Sequence, residues 1–262
     1  MKTCYFLFPF LVAIQSCSHD SPGASPLSIE NQQFERTLPG CGDKEKREEP
    51  CVTFRVAYPR VAAPANDART KINSAILVAL QPKDAPSGFQ AESDKVVEDF
   101  QKFHKEFPDA PITYFIRRTA EVQYSSASML SIVIDDEEFL GGAHPNSTRS
   151  YLNLNPATGE EITLRDILID GALPKLTLAA ENEFRNERAI PVNQKYSEAG
   201  FQFADDRFTL SPDWGVVPKG LVFHYNAYDI APYSMGPTTF VVPWGKAADL
   251  VKSEARLLPP KK

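Results

Sequence analysis

The residue types best suited to chemistry sit close together near the middle of the chain. Asp135-Asp136-Glu137-Glu138 puts four carboxylates in a row, and Gly141-Gly142-Ala143-His144 follows after two residues. Paired carboxylates at a suitable separation can run acid–base chemistry at sugars, and histidine changes charge near neutrality. His144 therefore reads in two ways. It is a general base or ligand contact, or its ring N–H ties to a backbone carbonyl and holds a turn that Gly141 and Gly142 permit through positive φ. The acidic run is either a solvated strand end or an anionic patch for a cationic partner, an attraction that salt would screen. Further along, Tyr228, Pro232 and Tyr233 precede Gly236. Rings set among Pro and Gly suit a rigid corner or an exposed recognition surface.

The remaining histidines are His19, His104 and His224, and no two of the four stand at metal-ligand spacing. His224 lies in an alternating strand pattern that suits cross-strand packing. The chain has no Gly-x-Ser-x-Gly elbow, Ser-x-x-Lys pair, His-Glu-x-x-His or phosphate-cradling glycine loop. No catalytic residue, metal or other cofactor is assigned, and the chain reads as a binding protein before an enzyme. The balance of 34 acidic against 28 basic residues, net −6, disfavours nucleic acid as a partner. With 42% hydrophobic residues in 262, the chain can bury a substantial core. No apolar run approaches the ~20 residues that span a bilayer.

The first 17 residues, MKTCYFLFPFLVAIQSC, hold a basic Lys2 and an apolar stretch of signal-peptide length. Ile14-Gln15-Ser16-Cys17 resembles a bacterial lipobox, with Gln15 where a smaller residue is usual. That pattern makes Cys17 the lipid attachment site, acylated with chains such as palmitate, and two or three chains anchor stably. The alternative is an ordinary cleaved signal. Ser18 is not the Asp that retains lipoproteins in the inner membrane. In a Gram-negative host the expected location is therefore the outer membrane, facing the periplasm, with membrane contact through the lipid alone. Cys4 leaves with the signal. The even pair that remains, Cys41 and Cys51, reads as a disulfide in an exported chain, worth about 3 kcal/mol for so short a loop. A metal site is the alternative, but two lone cysteines without a nearby His do not make a zinc pattern.

These residues need elements to hold them. Residues 18–33 read as a flexible tether, with the folded part starting near Phe34. Cys51–Tyr58 alternates as a strand. Helical spacing covers 67–81 and 94–107, the latter with a phenylalanine-rich stripe and Ser93 or Asp94 as its cap. Strands follow at 119–124 and 130–134. Thr148–Leu154 and Glu160–Leu164 flank a Pro156–Gly159 turn. A third helix is expected over Asp166–Arg188, strands near Phe208–Leu210, Leu221–Tyr225 and Phe240–Val242, and a short helix over Lys246–Leu257. The predicted class is α+β, an antiparallel β-meander with helices packed on one face. The predicted divisions are 1–17 signal, 18–33 tether, 34–140 smaller companion region and 141–262 C-terminal domain, with strands in 136–170 continuous across the boundary.

Two stretches carry a resemblance. The first runs from Gly141-Gly142-Ala143-His144 through Thr148–Leu154 and the Thr158-Gly159 turn to Ile162–Leu168. The second runs from Gly220-Leu221-Val222-Phe223-His224-Tyr225-Asn226 through Tyr228-Asp229-Ile230-Ala231-Pro232-Tyr233-Ser234-Met235-Gly236-Pro237 to Phe240–Pro243. Together they resemble the extracytoplasmic domain of RsiV-like proteins, a domain of unknown function. Residues 51–140 resemble the companion domain that precedes it. The best-known member binds lysozyme and signals through a membrane helix and a cytoplasmic segment. This sequence offers neither, so only the recognition role carries over. Other members join the domain to a peptidoglycan deacetylase module, which is also not found here. The resemblance implies an envelope binding module for a lysozyme-like muramidase or a peptidoglycan fragment. A cell-wall hydrolase using His144 with a nearby carboxylate, or a structural subunit of an envelope assembly, are the alternatives. The candidate binding residues are Asp135, Asp136, Glu137, Glu138, Gly141, Gly142, His144, Tyr228 and Tyr233.

Overall fold

The computed structural model describes residues 27–38, 41, 50–255 and 257. The signal segment with Cys17, the tether residues up to 26 and His19 lie outside the described residues. The chain begins with β1 (Ser28–Thr37) and β2 (Cys51–Ala63), then α1 (Asp67–Ala79), α2 (Phe89–Glu106), β3 (Thr113–Ser125), β4 (Leu130–Phe139) and β5 (Asn146–Leu154). The five strands form one sheet in chain order. Inward-pointing Val52, Phe54, Val56, Ile116, Ile132, Ile134 and Leu152 meet Ile72, Ile76 and Leu80 of the α1 region and Val96, Val97 and Phe100 of α2. The class is α+β as expected, and the sheet is mixed. β2 and β3 pair in parallel, because α1 and α2 lie between them and cross the sheet face, which returns the chain in the same direction. The other pairs are antiparallel.

The boundaries differ from expectation at two places here. The expected tether ends early, since its last residues form β1, whose Phe34 ring lies 5.8 Å from Phe54 and 5.9 Å from Phe89. Pairing along β2 and that aromatic burial outweigh the polar composition of Ser28–Gln33. α2 starts at Phe89 behind Gly88, not at Ser93 or Asp94. Ser93 is buried inside the helix with its hydroxyl donating to the Gln90 carbonyl at 2.8 Å, and Asp94 pairs with Arg36. The division expected at 140/141 falls between β4 and β5, and the strands run on across it within the first sheet as expected. Cys41 and Cys51 form the expected disulfide, with Cα atoms 5.6 Å apart.

After β5 the chain turns at Gly159, whose φ is +72° and where a Cβ would stand 2.6 Å from the Ala68 carbonyl oxygen. Only glycine fits there. The expected strand Glu160–Leu164 reduces to a single bridge, Leu154 to Glu161. Thr163 instead caps α3 (Leu164–Ile167), with its N–H and hydroxyl both donating to Asp166 at 2.7 and 2.6 Å. The expected helix over Asp166–Arg188 is therefore split, and α4 (Leu173–Glu187) starts beyond Gly171, which has φ +73°. A second sheet follows, β6 (Asp213–Val217), β7 (Gly220–Tyr225) and β8 (Thr238–Pro243), all antiparallel. Phe208–Leu210 is not a strand, because Phe208 turns inward to the aromatic core and the Thr209 carbonyl accepts from the Tyr225 hydroxyl. The last expected helix shortens to α5 (Trp244–Ala247) and single 3-10 turns. Backbone bonds to the α3 region, Ile169 N–H to Leu250 and Lys252 N–H to Ile167, compete with helix there.

The two sheets are joined by a small buried polar device. Ser131 on β4 donates to the Asn153 side-chain oxygen at 2.7 Å and accepts from the Val216 N–H at 2.9 Å. The Asn153 amide donates to the Trp214 carbonyl at 2.9 Å. Free backbone groups on β6 are thus satisfied by side chains from the face of the first sheet that α1 and α2 do not cover. Between them sits Gly215, where a Cβ would come within 2.4 Å of the Tyr151 ring. Asn153→Leu keeps the volume but takes the donor from the Trp214 carbonyl and the acceptor from the Ser131 hydroxyl. We expect it to cost about 2–4 kcal/mol in urea unfolding.

Candidate functional site

The acidic run lies on the second half of β4, and its strand neighbours bear arginines in register with it. Asp135 opposes Arg149 on β5, while Asp136 and Glu137 oppose Arg118 and Arg117 on β3. Asp135 takes two bonds from the Arg149 guanidinium, at 2.7 and 2.9 Å, and Glu137 meets Arg117 at 2.7 Å. Asp136 accepts from Arg118 Nε at 2.8 Å. Arg118 is almost wholly buried and its other arm reaches Glu92 of α2, also buried. Burial raises the Glu92 carboxyl, and Arg118 beside it opposes that rise. Glu138 is half-buried at the register position of Asn146. Asp135, Asp136 and Glu137 thus hold arginines, and their charge is answered inside the sheet.

The other candidates converge. Gly141 and Gly142 have φ +97° and +111°, and the loop they form carries His144 out to the surface. His144 stacks on Tyr233 with centroids 3.9 Å apart and ring planes 19° from parallel. Its Nδ1 lies 2.8 Å from the Pro145 carbonyl, and the Tyr233 hydroxyl donates to the same carbonyl at 3.3 Å. Tyr228 extends the stack, 5.6 Å from Tyr233. Tyr228 is 65% exposed and holds φ +73°, a backbone cost of about 1–3 kcal/mol that only the surrounding structure can enforce. Two loops more than 80 residues apart in sequence thus build one exposed row of rings. His144 and the acidic run remain neighbours in sequence, but the carbonyl and the tyrosine engage His144 while arginines engage Asp135, Asp136 and Glu137.

Between β5 and the end of β7 lies a polar cluster that sequence reasoning missed. The Asn226 side chain, just past β7, accepts from the Arg149 N–H at 2.6 Å and donates to the Arg149 carbonyl at 3.0 Å, standing in for a neighbouring strand at the edge of β5. The same amide donates to Asp213 at 3.3 Å, and the Asn226 N–H donates to Asp229 at 2.6 Å. His224 is buried as expected, with Nδ1 2.7 Å from the Thr239 hydroxyl across the strand pair and Nε2 3.2 Å from Asn226. Burial first and Arg149 second hold His224 below the usual histidine range. Nothing in the local pattern marks Asp213, since its partners come from β7 and the loop beyond it. Among the described residues there is no cluster of three His, Cys, Asp or Glu that could hold a metal ion.

Burial, helped by the nearby Asp229 charge, pushes the Asp213 carboxyl up from 3.8 to about 6. The native state thus binds this proton more tightly than the unfolded chain does. The stability Asp213 contributes is complete below about 3.8 and is lost as pH rises through about 6. Asp213→Asn keeps the oxygen that Asn226 donates to and removes the charge. At pH 7 the variant should be more stable than wild type by about 1–3 kcal/mol, with the gain shrinking toward pH 4. His224 withdraws stability in the opposite sense, as pH falls below about 6.5, and it shares Asn226 with Asp213. Parallel urea titrations of the two proteins check the difference.

The two packed sheets with helices against them define an α+β protein that carries an exposed row of rings on two loops. Residues 45–147 match the family described as deacetylase PdaC, and residues 165–245 match the protein of unknown function family DUF3298. The two matches follow one another along the chain, a stretch similar to PdaC before a stretch similar to DUF3298, the order of the pair found in RsiV-like proteins. Its fold is similar to the crystal structure of a DUF3298 family member from Bacteroides fragilis, at TM-score 0.69 and 18% identity over 91% of this chain and 100% of that one. It is also similar to a DUF3298 family protein from Pseudomonas aeruginosa, at TM-score 0.62 and 19% identity over 90% and 98%. No curated protein matches the chain.

Proposed function

We propose that the chain is a lipid-anchored binding module of the bacterial cell envelope, held through Cys17, with a lysozyme-like muramidase or a peptidoglycan fragment as its ligand. The observation that carries this is the exposed row of His144, Tyr233 and Tyr228. It is built from two distant loops and held by a tyrosine at positive φ. Backbone strain of this kind clusters where a surface must be presented in one shape. Rings with few rotatable bonds make contact at low entropic cost. The lipobox-like Ile14–Cys17 supports the location, with the outer membrane facing the periplasm as the expected site in a Gram-negative host. A hydrolase would need His144 beside a free carboxylate, whereas its Nδ1 meets the Pro145 carbonyl.

The test is calorimetric titration of the purified full chain with a basic lysozyme and, separately, with muropeptides, at low and high salt. Saturable heat with either ligand is the expected result. Flat titrations with both would remove this function.

A further inference from the structure

We propose that β1 is an interface for a second copy of this chain, its outer edge pairing antiparallel with the same edge of that copy. This goes beyond the envelope-module reading and does not depend on it. The first ground is how the molecule treats its other strand edges. Where β5 ends the first sheet, the Asn226 side chain bonds both backbone groups of Arg149. Where β6 ends the second sheet, Ser131 and Asn153 bond the Val216 N–H and the Trp214 carbonyl. Where β2 runs past β3, the Asn73 side chain of α1 accepts from the Val61 N–H at 2.8 Å and donates to its carbonyl at 3.0 Å. β1 is the other end of the first sheet. Among the described residues it pairs with β2 alone, with no side chain standing in on its outer side. Edge strands are usually kept short or blunted with Pro or Lys. β1 runs for ten residues and contains neither.

The second ground is a sequence that complements itself. Outward backbone groups alternate along a strand, so the registers open to two antiparallel copies differ in steps of two residues. With Gln33 opposite itself, Gln32 opposes Phe34, Asn31 opposes Glu35, Glu30 opposes Arg36 and Ile29 opposes Thr37. Each of these pairs occurs twice about the twofold axis, as a closed dimer requires. The next register one way sets Glu30 against Phe34, and the next the other way carries it past the end of β1.

The third ground is charge. Within one chain Glu30 meets Arg60 at 3.5 Å, and Arg36 meets Asp94. All four side chains are a third or more exposed, so they remain reachable. In the proposed register Arg60 and Glu30 of one copy are followed by Arg36 and Asp94 of the other, a series of alternating sign. Opposite charges set across a strand pair stabilise it, and like charges there destabilise it.

The experiment follows the purified full chain by sedimentation equilibrium from about 1 μM to about 1 mM, a range that reaches weak self-association. A monomer–dimer equilibrium is the expected result. Glu30→Arg and Arg36→Glu should each weaken the dimer about tenfold, and the two together should restore it. The double variant has lost both intrachain pairs, so its recovery can come only from contact between copies. All three should melt close to wild type, since exposed pairs contribute little. Cross-linking fixes the register separately, at positions that are exposed. Gln33→Cys should give a dimer on mild oxidation, with the link mapped by peptide mass to position 33 of both chains. Asn31→Cys and Glu35→Cys should each fail to link at their own position alone and should link 31 to 35 when mixed. A double variant no better than the singles, or a link at 35 alone as efficient as at 33, overturns the proposal. A chain that stays monomeric over the whole range also overturns it and gives the edge to a strand of another protein. Lysozyme or muropeptide binding bears on none of these outcomes.

Discussion

Arg118→Met should cost the chain about 3–5 kcal/mol, the loss expected when one partner is taken from a buried ion network. For a protein of this size that lowers the melting temperature by about 10 °C. Burial works against the Arg118 charge, and the carboxylates of Asp136 and Glu92 more than answer it. Its guanidinium also lies 5.9 Å from the Phe54 ring centre. Removing it leaves Glu92 in the interface between α2 and the sheet without a cation, so Glu92 must take up a proton or draw in water. The loss should therefore shrink at low pH, where a protonated Glu92 no longer needs a cation. A second variant separates packing from charge. Replacing Glu92, Arg118 and Asp136 together with apolar residues of similar volume should recover most of the loss, because the desolvation penalty of the network disappears with it. If the triple variant is as unstable as the single one, the ion network is not the cause. Thermal melts of the three proteins at pH 7 and pH 4 decide it.

Phe184→Ala should cost a similar amount, about 3–5 kcal/mol, by a different route. Phe184 is fully buried on α4, with the rings of Tyr196, Phe201, Phe203, Phe208, Tyr225 and Phe240 at centroid distances of 5.2 to 6.0 Å. Most meet it edge-on, the favoured arrangement for ring quadrupoles. A ring surrounded this way leaves a cavity that its neighbours cannot fill by small shifts. This cavity lies in the second core, whereas Arg118 acts on the first, and the two losses should be additive to within about 0.5 kcal/mol. A double variant that loses much less than the sum would mean that the two cores unfold separately.

Several elements were legible because the signal was local. Leu173, Leu176, Ala180 and Phe184 fall on one helical stripe, and three of them are buried in α4. The alternation in Thr148–Leu154 and Leu221–Tyr225 gave strands, and Gly159 gave the turn. Cys41 and Cys51 could be paired by counting alone. Other elements were misread where a distant partner outvoted local pattern. Ser28–Gln33 is polar, yet β2 draws it into the sheet. Phe208–Leu210 alternates, yet the aromatic core takes Phe208 inward. Asp166–Arg188 has one helical period, yet Gly171 divides it.

The candidate site shows the same division. Sequence by itself set His144, Tyr228 and Tyr233 among glycines and prolines, where rings suit a rigid corner or an exposed surface, and all three are exposed. It also pointed to the α+β class, through runs of period two and period 3.6 that must pack strands against helices. Only the tertiary structure decided that the three rings form one row, because stacking across more than 80 residues depends on how β5 and β7 are joined. The Asn226 amide and the Ser131–Asn153 pair make that join, and neither leaves a periodic trace. Tertiary structure likewise decided the fate of Asp135-Asp136-Glu137-Glu138. Four carboxylates in a row look like a charged patch until register brings Arg117, Arg118 and Arg149 alongside, and register is a property of paired strands rather than of any one of them.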